Sequence, residues 1–289
     1  MTRPLPHFLL TKLNLPMCGD GRHLRSDWIA RRLELLARHT APSVERQAEP
    51  FDAWLLLCAA GTARDDRAAI LRASERLGCV PVWVEEGALI SQLRRTLREA
   101  VPDPSSHVLT SRLDSDDVLH PQFARRVRAR AGGGFTGFVN PLFGLHYLHG
   151  ALYLWPYVAS NFVSYVEPFG DGSGLKTVMA LSHDRIYRAA PVRQIVSRPL
   201  WLVVTHGRNT STVARRGIRT RAAGHLDDFP ILAELGIEPD LSAVKLRSCQ
   251  LLDTGRLVAK AMRPGSRARL LGGMKSVVAD FSRPRGDTA

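Results

Sequence analysis

Short apolar runs alternate with amphipathic stretches in the first part of the chain. Phe8–Leu10 and Ala53–Cys58 are continuous apolar runs, which are typical of strands buried on both faces of a parallel sheet. From Ser26 to His39, apolar residues recur every three or four positions, which predicts a helix capped by Ser26. A strand, a helix and a second strand therefore follow one another.

The same order continues toward the middle of the chain. Arg67–Leu77 and Ala88–Ala100 have helical spacing, whereas Val80–Val84 and Val108–Leu113 have the composition of strands. Alternating strands and helices predict a parallel sheet covered by helices, and ligands of such sheets bind beyond the carboxyl ends of the strands. We therefore expect functional residues where these strands end.

The pattern changes after the glycines Gly132–Gly134. In Gly137–Tyr157, aromatic, small and turn residues alternate as in antiparallel strands, with a turn at His149-Gly150. Farther along, Phe229–Leu235 and Leu251–Met262 have helical spacing. The predicted class is α/β: a mostly parallel sheet flanked by helices, an antiparallel extension and a helical C-terminus. The predicted parts are an α/β half, a mixed-sheet half of the same domain and a helical segment, at residues 1–131, 132–225 and 226–289.

Composition narrows the class of protein only slightly. The formal net charge of +13 suits nucleic acids, anionic membranes or phosphate-bearing substrates, although much of it comes from arginines along predicted helix faces. The sequence has no helix-turn-helix, zinc-finger or ribonucleoprotein pattern. Its four cysteines lack C-x-x-C spacing, so neither a zinc site nor a disulfide framework is indicated. No apolar run approaches about 20 residues, and we expect a cytoplasmic protein.

An acidic run, Asp114-Ser115-Asp116-Asp117, directly follows the predicted strand Val108–Leu113. In an extended strand end, Asp114 and Asp116 point to the same side, where they could bind one divalent cation. Such an ion neutralises the leaving diphosphate when a sugar is transferred from a nucleoside diphosphate. A calcium-binding EF-hand is excluded, because its sixth position requires glycine and here is Leu119. The alternative is a capping and turn cluster before the next helix.

Five stretches, in order along the chain, carry a family pattern. They are Thr11-Lys12-Leu13-Asn14, Trp28–Arg32 with Pro42-Ser43-Val44 and Gln47, Ser111–Asp117, Asn161–Pro168, and Trp201–Asn209 ending in His206-Gly207-Arg208-Asn209. On these residues, from about Phe8 to Thr212, the chain resembles the bacterial rhamnosyltransferases, which have the GT-A glycosyltransferase fold. The resemblance implies a GT-A-like nucleotide-diphosphosugar transferase, with the nucleotide sugar bound by residues 1–131 and the acceptor on the side of residues 132–225.

The resemblance also implies substrates and site residues. The donor is a nucleoside-diphosphate sugar, such as dTDP-rhamnose, and the acceptor is a saccharide or lipid-linked saccharide in cell-surface polysaccharide assembly. A divalent metal, Mn²⁺ or Mg²⁺, is expected, and the sequence does not distinguish the two. The predicted metal ligands are Asp114, Asp116, Asp117 and His206. The predicted donor-binding residues are Thr11, Lys12, Asn14, Arg112, Asp114, Arg208 and Asn209.

Two positions depart from the family pattern. Lys12 stands where such proteins usually carry arginine, which keeps the charge but loses the planar, bidentate guanidinium. Related transferases also tend to place an aspartate for the nucleoside after the second strand, where this chain has Cys58-Ala59-Ala60. The choice of donor base therefore cannot be predicted from that strand.

An inverting transfer needs a base that accepts the proton of the acceptor hydroxyl. Glu167 is predicted for this role, because it follows the apolar run Phe162–Val166 and precedes a proline. Asp171 and Asp184 are alternatives, and His183 could orient the acceptor. Four aromatic residues form either a wall on which a sugar stacks or part of the core: Tyr147, Tyr153, Trp155 and Tyr157.

Two other classes of function stay open from the sequence. One is a basic nucleic-acid-binding protein, which would bind with steep salt dependence and would tolerate loss of Asp114 or Asp116. The other is a non-catalytic, transferase-like interaction domain. Peripheral contact with an anionic membrane at the inner face is a further expectation, because basic and apolar residues are interleaved in Arg263–Lys275.

Overall fold

The computed structural model describes residues 5–16, 21–101, 107–206, 217–238, 241–261, 273–275 and 278. Its strands are β1 (His7–Lys12), β2 (Ala53–Ala59), β3 (Val80–Val84), β4 (His107–Asp114), β5 (Val118–Leu119), β6 (Gly137–Pro141), β7 (Phe143–Leu148), β8 (Ala151–Pro156), β9 (Ser164–Pro168), β10 (Val192–Ile195), β11 (Trp201–Thr205) and β12 (Ile218–Arg219). Its α-helices are α1 (Ser26–Leu35), α2 (Ala41–Glu45), α3 (Arg64–Leu77), α4 (Leu89–Ala100), α5 (Phe123–Ala131), α6 (Ile186–Ala189) and α7 (Ala243–Ala261).

The larger sheet has seven strands in the order β10-β6-β9-β4-β1-β2-β3. Strands β4, β1, β2 and β3 are mutually parallel, whereas β9 is antiparallel to both β4 and β6. Leu9 faces the core shared with α1, α3 and α5, and its neighbour Leu10 faces the core shared with α4. Because both faces are covered, the strands carry continuous apolar runs. The predicted class, α/β with a mostly parallel sheet flanked by helices, is confirmed.

The smaller sheet has five strands in the order β12-β8-β7-β11-β5. The hairpin between β7 and β8 turns at His149 and Gly150, as predicted, and both residues have positive φ, 48° and 76°. Gly144 packs so closely on Trp201 that an added Cβ would lie 1.9 Å from the indole. Strand β5 directly follows the acidic run and pairs with β11, so this sheet brings the end of β11 beside that run.

Three predicted helices differ in their limits. The first continues beyond His39 through a π-helical turn, Leu36–Thr40, into α2, because Pro42 is tolerated in the first turn of a helix. The predicted helix Phe229–Leu235 is instead a 3₁₀ turn, Pro230–Ala233. Helix α7 begins well before Leu251. No helix in the described part of the chain combines the length and apolarity needed to cross a membrane. The predicted division at residues 131 and 225 stays a prediction.

Candidate active site

Parallel pairing brings the ends of β1 and β4 together. Lys12, the last residue of β1, lies opposite Asp114, the last residue of β4, and Arg112 precedes Asp114 by two positions. The acidic run Asp114–Asp117 then turns from β4 into β5. Basic and acidic side chains therefore meet at the carboxyl edge of the sheet, where ligands of such sheets bind.

Asp116 is the centre of a buried ionic cluster. Arg32 on α1 contacts the Asp116 carboxylate through Nη1 at 2.9 Å and Nη2 at 3.3 Å, and it also donates to the hydroxyl of Ser115. His206, directly after β11, places Nε2 3.1 Å from Asp116 Oδ2. Burial opposes ionisation of Asp116, but the hydrogen bond from His206 and the charge of Arg32 lower its pKa to about 2. The carboxylate is therefore ionised at neutral pH.

Asp114 and Asp117 share one amide donor. Asn161 Nδ2 lies 3.2 Å from Asp117 Oδ2 and 3.5 Å from Asp114 Oδ2. Burial, together with the charges of Asp116 and Asp114, raises the pKa of Asp117 well above its usual value. Two carboxylates thus approach one point, and their negative charges repel one another.

The π-helical turn Leu36–Thr40 holds the backbone of the acidic run. Thr40 donates from Oγ1 to the carbonyl of Asp117 at 2.9 Å, and His39 Nδ1 lies 3.4 Å from the carbonyl of Asp116. Single π turns occur frequently at functional sites, because they redirect side chains within an otherwise regular helix. Here the turn fixes the course of the chain between β4 and β5.

Lys12 and Arg112 form a half-buried pair of cations. Burial lowers the pKa of Lys12, and the charge of Arg112 lowers it further, while Asp114 partly opposes both effects. Arg112 Nε is buried and has no hydrogen-bond partner among the described residues. Two neighbouring cations that are partly withdrawn from water favour an anionic ligand between them.

His183 completes the polar edge. Its Nδ1 lies 2.7 Å from the carbonyl of Ala159, and because a carbonyl only accepts hydrogen bonds, Nδ1 carries the proton. Burial lowers the pKa of His183, the hydrogen bond to Ala159 opposes this, and the charge of Arg112 adds to the lowering. The ring is therefore neutral near pH 7, with a lone pair on Nε2.

The fit of the predicted metal depends on which carboxylates remain available. Asp116 and His206 bind each other, and no group of three His, Cys, Asp or Glu side chains within the described ranges is arranged to hold an ion. Asp114 and Asp117 still present two carboxylates to one point. Mg²⁺ is commonly held by one or two carboxylates together with substrate phosphates, so these two residues suit an ion that arrives with a diphosphate.

Other predicted donor-binding residues have structural partners. Thr11 accepts a hydrogen bond from Trp54 Nε1 at 2.9 Å. Asn14 donates to Thr62 Oγ1 at 2.8 Å and accepts from the backbone of Ala59 at 3.1 Å, so it joins the ends of β1 and β2. Arg208 and Asn209 lie outside the described residues.

Glu167 lies far from the acidic run. It pairs with Val108, six residues before Asp114, which corresponds to about 20 Å along β4. Its carboxylate accepts hydrogen bonds from the backbone N–H groups of Lys176 at 2.8 Å and Thr177 at 2.7 Å. Burial raises the pKa of Glu167, and these two hydrogen bonds oppose the rise. The structure does not bring Glu167 to this edge, and we do not retain it as the base.

Only two of the four predicted wall aromatics lie near the polar edge. Trp155 and Tyr157 are half-buried and stacked, with ring centroids 4.9 Å apart, and Tyr157 lies 5.8 Å from the ring of His183. Tyr147 and Tyr153 are buried, and Tyr147 donates to the carbonyl of Leu235. These two tyrosines belong to the core of the smaller sheet.

Three residues of the cluster were not predicted as site residues: Arg32, His39 and Asn161. Arg32 and Asn161 lie inside stretches that carry the family resemblance, which was their only signal. Arg32 is 84 positions from Asp116, so the helical pattern of α1 gave no indication of its partner. His39 could not be placed, because its position depends on the π turn.

Comparison with known families identifies the chain. Residues 23–218 match the family model described as "Putative rhamnosyl transferase". The chain belongs to this family. It is therefore a glycosyltransferase, as the sequence predicted. The matched range includes the acidic run, Arg32, Asn161, His183 and His206, and it begins after Lys12. Among curated proteins, no match is found.

Comparison with solved structures finds matches at low identity. Staphylococcus aureus TarS residues 1–349 in complex with UDP-GlcNAc is 7% identical, with a TM-score of 0.45, over 96% of this chain and 81% of that one. The complex of the same TarS fragment with UDP is 9% identical, with a TM-score of 0.39, over 86% and 70%. The 4-diphosphocytidyl-2C-methyl-D-erythritol synthase of Anaerococcus prevotii DSM 20548 is 14% identical, with a TM-score of 0.34, over 73% and 92%.

Proposed function

We propose that this glycosyltransferase moves a sugar, rhamnose in the first instance, from a nucleoside-diphosphate donor to a saccharide or glycolipid acceptor. The observation that carries the proposal is the cation pair Lys12 and Arg112, half-buried beside Asp114 at the carboxyl edge of the sheet. The family description supports rhamnose as the sugar. The proposed acceptor belongs to cell-surface polysaccharide assembly.

Lys12 and Arg112 would bind the diphosphate and stabilise it as it leaves. Negative charge develops on the diphosphate when the bond to the sugar breaks, and fixed cations at that position stabilise the transition state more than the ground state. The charge of Arg112 already lowers the pKa of Lys12. A dianionic ligand between them would relieve this repulsion.

Asp114 and Asp117 would hold a divalent cation against the same diphosphate. When bound, Mn²⁺ or Mg²⁺ supplies positive charge to the phosphate oxygens. Asn161 orients both carboxylates, whereas Arg32 and His206 keep Asp116 ionised and fixed. In this proposal Asp116 positions the acidic run and does not itself ligate the ion.

His183 is the base that we propose in place of Glu167. Its Nδ1–H donates to Ala159, so Nε2 is free to accept the proton of an acceptor hydroxyl, and the charges of Arg112 and Asp114 both act on the ring. The stacked pair Trp155 and Tyr157 provides an apolar surface beside His183 for a sugar ring. The acceptor would approach from this side.

A thermal-shift experiment tests the donor. The protein is mixed with dTDP-, UDP- and GDP-sugars, each with and without Mn²⁺ or Mg²⁺, because a ligand of the native state raises the melting temperature. At about 100 times Kd the gain is about 2.7 kcal/mol, which corresponds to several degrees in a chain of this size. One nucleotide should give a metal-dependent shift.

Matched variants connect the shift to the cation pair. Arg112→Gln should abolish the shift, whereas Arg95→Gln should keep it, because Arg95 is 65% exposed and pairs with Glu99 at 3.8 Å on the outer face of α4. The proposal fails if no nucleotide sugar raises the melting temperature of the wild-type protein while generic RNA or DNA binds with steep salt dependence. That result would indicate that the net charge of +13 binds nucleic acid.

Peripheral membrane contact through Arg263–Lys275 stays a prediction. Of that segment, the structure describes only residues 273–275.

A further inference from the structure

Helix α7 presents an apolar stripe to solvent. Val244, Leu251 and Val258 are 76%, 75% and 56% exposed, and Leu252 beside them is 64% exposed. Spacings of seven residues place the first three on one face of the helix. Large exposed apolar side chains that recur along one face of a surface helix are typical of an interaction surface.

The opposite face of α7 attaches the helix to the smaller sheet. Asp253 is buried and accepts the backbone N–H of Arg219 at 3.0 Å, and Gln250 donates to the carbonyl of Arg219 at 3.1 Å. Leu246 and Leu257 are half-buried on the same side. The orientation of α7 is therefore fixed by β12, and its apolar stripe necessarily faces outward.

Within α7, the exposed charged residues that the structure describes are all positive. Lys245, Arg247 and Arg256 are exposed, and on a helical wheel with about 100° per residue they flank the stripe on both sides. Arg256 is 66% exposed even though it lies 3.7 Å from Asp253. Asp253 is the only acidic residue of α7, and it is 1% exposed. The solvent face thus combines apolar and basic residues without an acid.

We propose that α7 lies on an anionic membrane surface, with Val244, Leu251 and Val258 at the boundary between headgroups and acyl chains. An apolar face flanked by lysine and arginine is the pattern of helices that bind in the plane of such an interface. A second copy of the chain is a poorer occupant, because pairing of two stripes would bring their basic flanks together. With 19 residues, the helix offers about 28 Å of contact.

The proposal that α7 binds a membrane does not depend on the proposed nucleotide-sugar donor. Lipid binding is a property of α7, whereas donor binding belongs to the edge of the other sheet. A chain that failed to bind nucleotide sugars would still be expected to bind vesicles. The thermal-shift and vesicle experiments can therefore refute the two proposals independently.

The test measures co-sedimentation of the full chain with vesicles. Vesicles of phosphatidylcholine mixed with phosphatidylglycerol are compared with vesicles of phosphatidylcholine alone. We expect binding to the anionic vesicles, and we expect salt to weaken it. The triple variant Val244→Gln, Leu251→Gln, Val258→Gln should bind at least about ten-fold more weakly. Glutamine supports a helix, so circular dichroism should show α7 unchanged.

A control triple variant separates the stripe from general hydrophobicity. Leu71→Gln, Val80→Gln and Val196→Gln replace side chains that are 50%, 51% and 43% exposed elsewhere on the surface. This variant should bind like wild type. Replacing Lys245 and Arg247 by glutamine should weaken binding by about five-fold per charge.

Three outcomes would overturn the proposal. One is that the wild-type chain does not co-sediment with anionic vesicles. Another is that both triple variants bind these vesicles equally well. The third is self-association of the wild-type chain that the α7 variant alone abolishes without any vesicle binding, which would assign the stripe to a second copy.

Discussion

Arg32→Gln is the substitution whose effect the structure predicts in most detail. It removes one partner of a buried ion pair, in which the side chains of Arg32 and Asp116 are 13% and 9% exposed. The two contacts of the guanidinium with the carboxylate, at 2.9 Å and 3.3 Å, are lost, while His206 remains 3.1 Å from Asp116. The negative charge of Asp116 then stays buried with His206, but not Arg32, beside it to compensate it.

The magnitude follows from the pKa of Asp116. That pKa is lowered from 3.8 to about 2, against the effect of burial. A shift of this size corresponds to roughly 2 kcal/mol of stability at neutral pH, shared between Arg32 and His206. Breaking a buried pair also leaves an uncompensated charge, which costs about 3 to 5 kcal/mol in well-buried cases. We therefore expect Arg32→Gln to lower the free energy of unfolding by about 2 to 3 kcal/mol.

The sign of the pH dependence is fixed by the same shift. Because the pKa of Asp116 is lower in the folded state, its contribution is present above the unfolded pKa near 3.8 and is lost as the pH falls toward about 2. The difference in unfolding free energy between wild type and Arg32→Gln should therefore be full at about pH 7. It should shrink progressively below about pH 4.

The measurement is urea unfolding of both proteins across this pH range, with Arg31→Gln as the matched control. Arg31 lies next to Arg32 and pairs with Glu34 at 2.6 Å, but these side chains are 37% and 58% exposed. An exposed pair of this kind contributes about 0 to 1 kcal/mol. The reasoning is refuted if Arg32→Gln costs no more than Arg31→Gln, or if its cost does not change with pH.

Three further predictions concern the proposed chemistry. His183→Asn should lower kcat by about 10² to 10⁴. In the wild type, activity should fall on the acid side only below pH 6.5, because the pKa of His183 is lowered and the base must be neutral. An unchanged rate and pH profile in the variant would exclude His183. Glu167→Gln should leave kcat near the wild-type value, since its carboxylate binds backbone N–H groups at the far end of β4; a large loss in transfer assays would restore Glu167 as a candidate. Addition of EDTA should remove the nucleotide-dependent thermal shift, and Asp117→Asn should do the same in excess Mn²⁺, whereas a shift that persists in EDTA would count against the metal.

The site residues at the ends of strands could be predicted because strands are recognised from short, local stretches of sequence. Continuous apolar runs identify β1 and β2, and strand-like composition identifies β4; parallel pairing then places Lys12 and Asp114 side by side. His206 was predicted as a metal ligand from the apolar run of β11 and the family resemblance; the structure places its Nε2 3.1 Å from Asp116 Oδ2, and its role as a ligand stays a prediction. The fold class follows from the same periodicities.

Contacts that depend on tertiary packing could not be predicted from local sequence patterns. Arg32 has an ordinary helical context, and only the packing of α1 against the acidic run shows that its guanidinium neutralises Asp116. Glu167 had the local features of a base, namely an apolar run and a following proline. Its position is set by antiparallel pairing with β4, which sends it to the opposite end of the sheet. Strand direction, which the local pattern did not indicate, decided that case.

The balance of charge at this edge favours a ligand that carries both a cation and an anion. Asp114 and Asp117 repel each other, and Lys12 and Arg112 do so as well, so each pair lacks a full counter-charge. A bare divalent ion would relieve only the carboxylates, and a bare diphosphate would relieve only the cations. A diphosphate bound together with a divalent ion relieves both at once. Metal and nucleotide should therefore bind cooperatively, and each should raise the affinity for the other by the same factor.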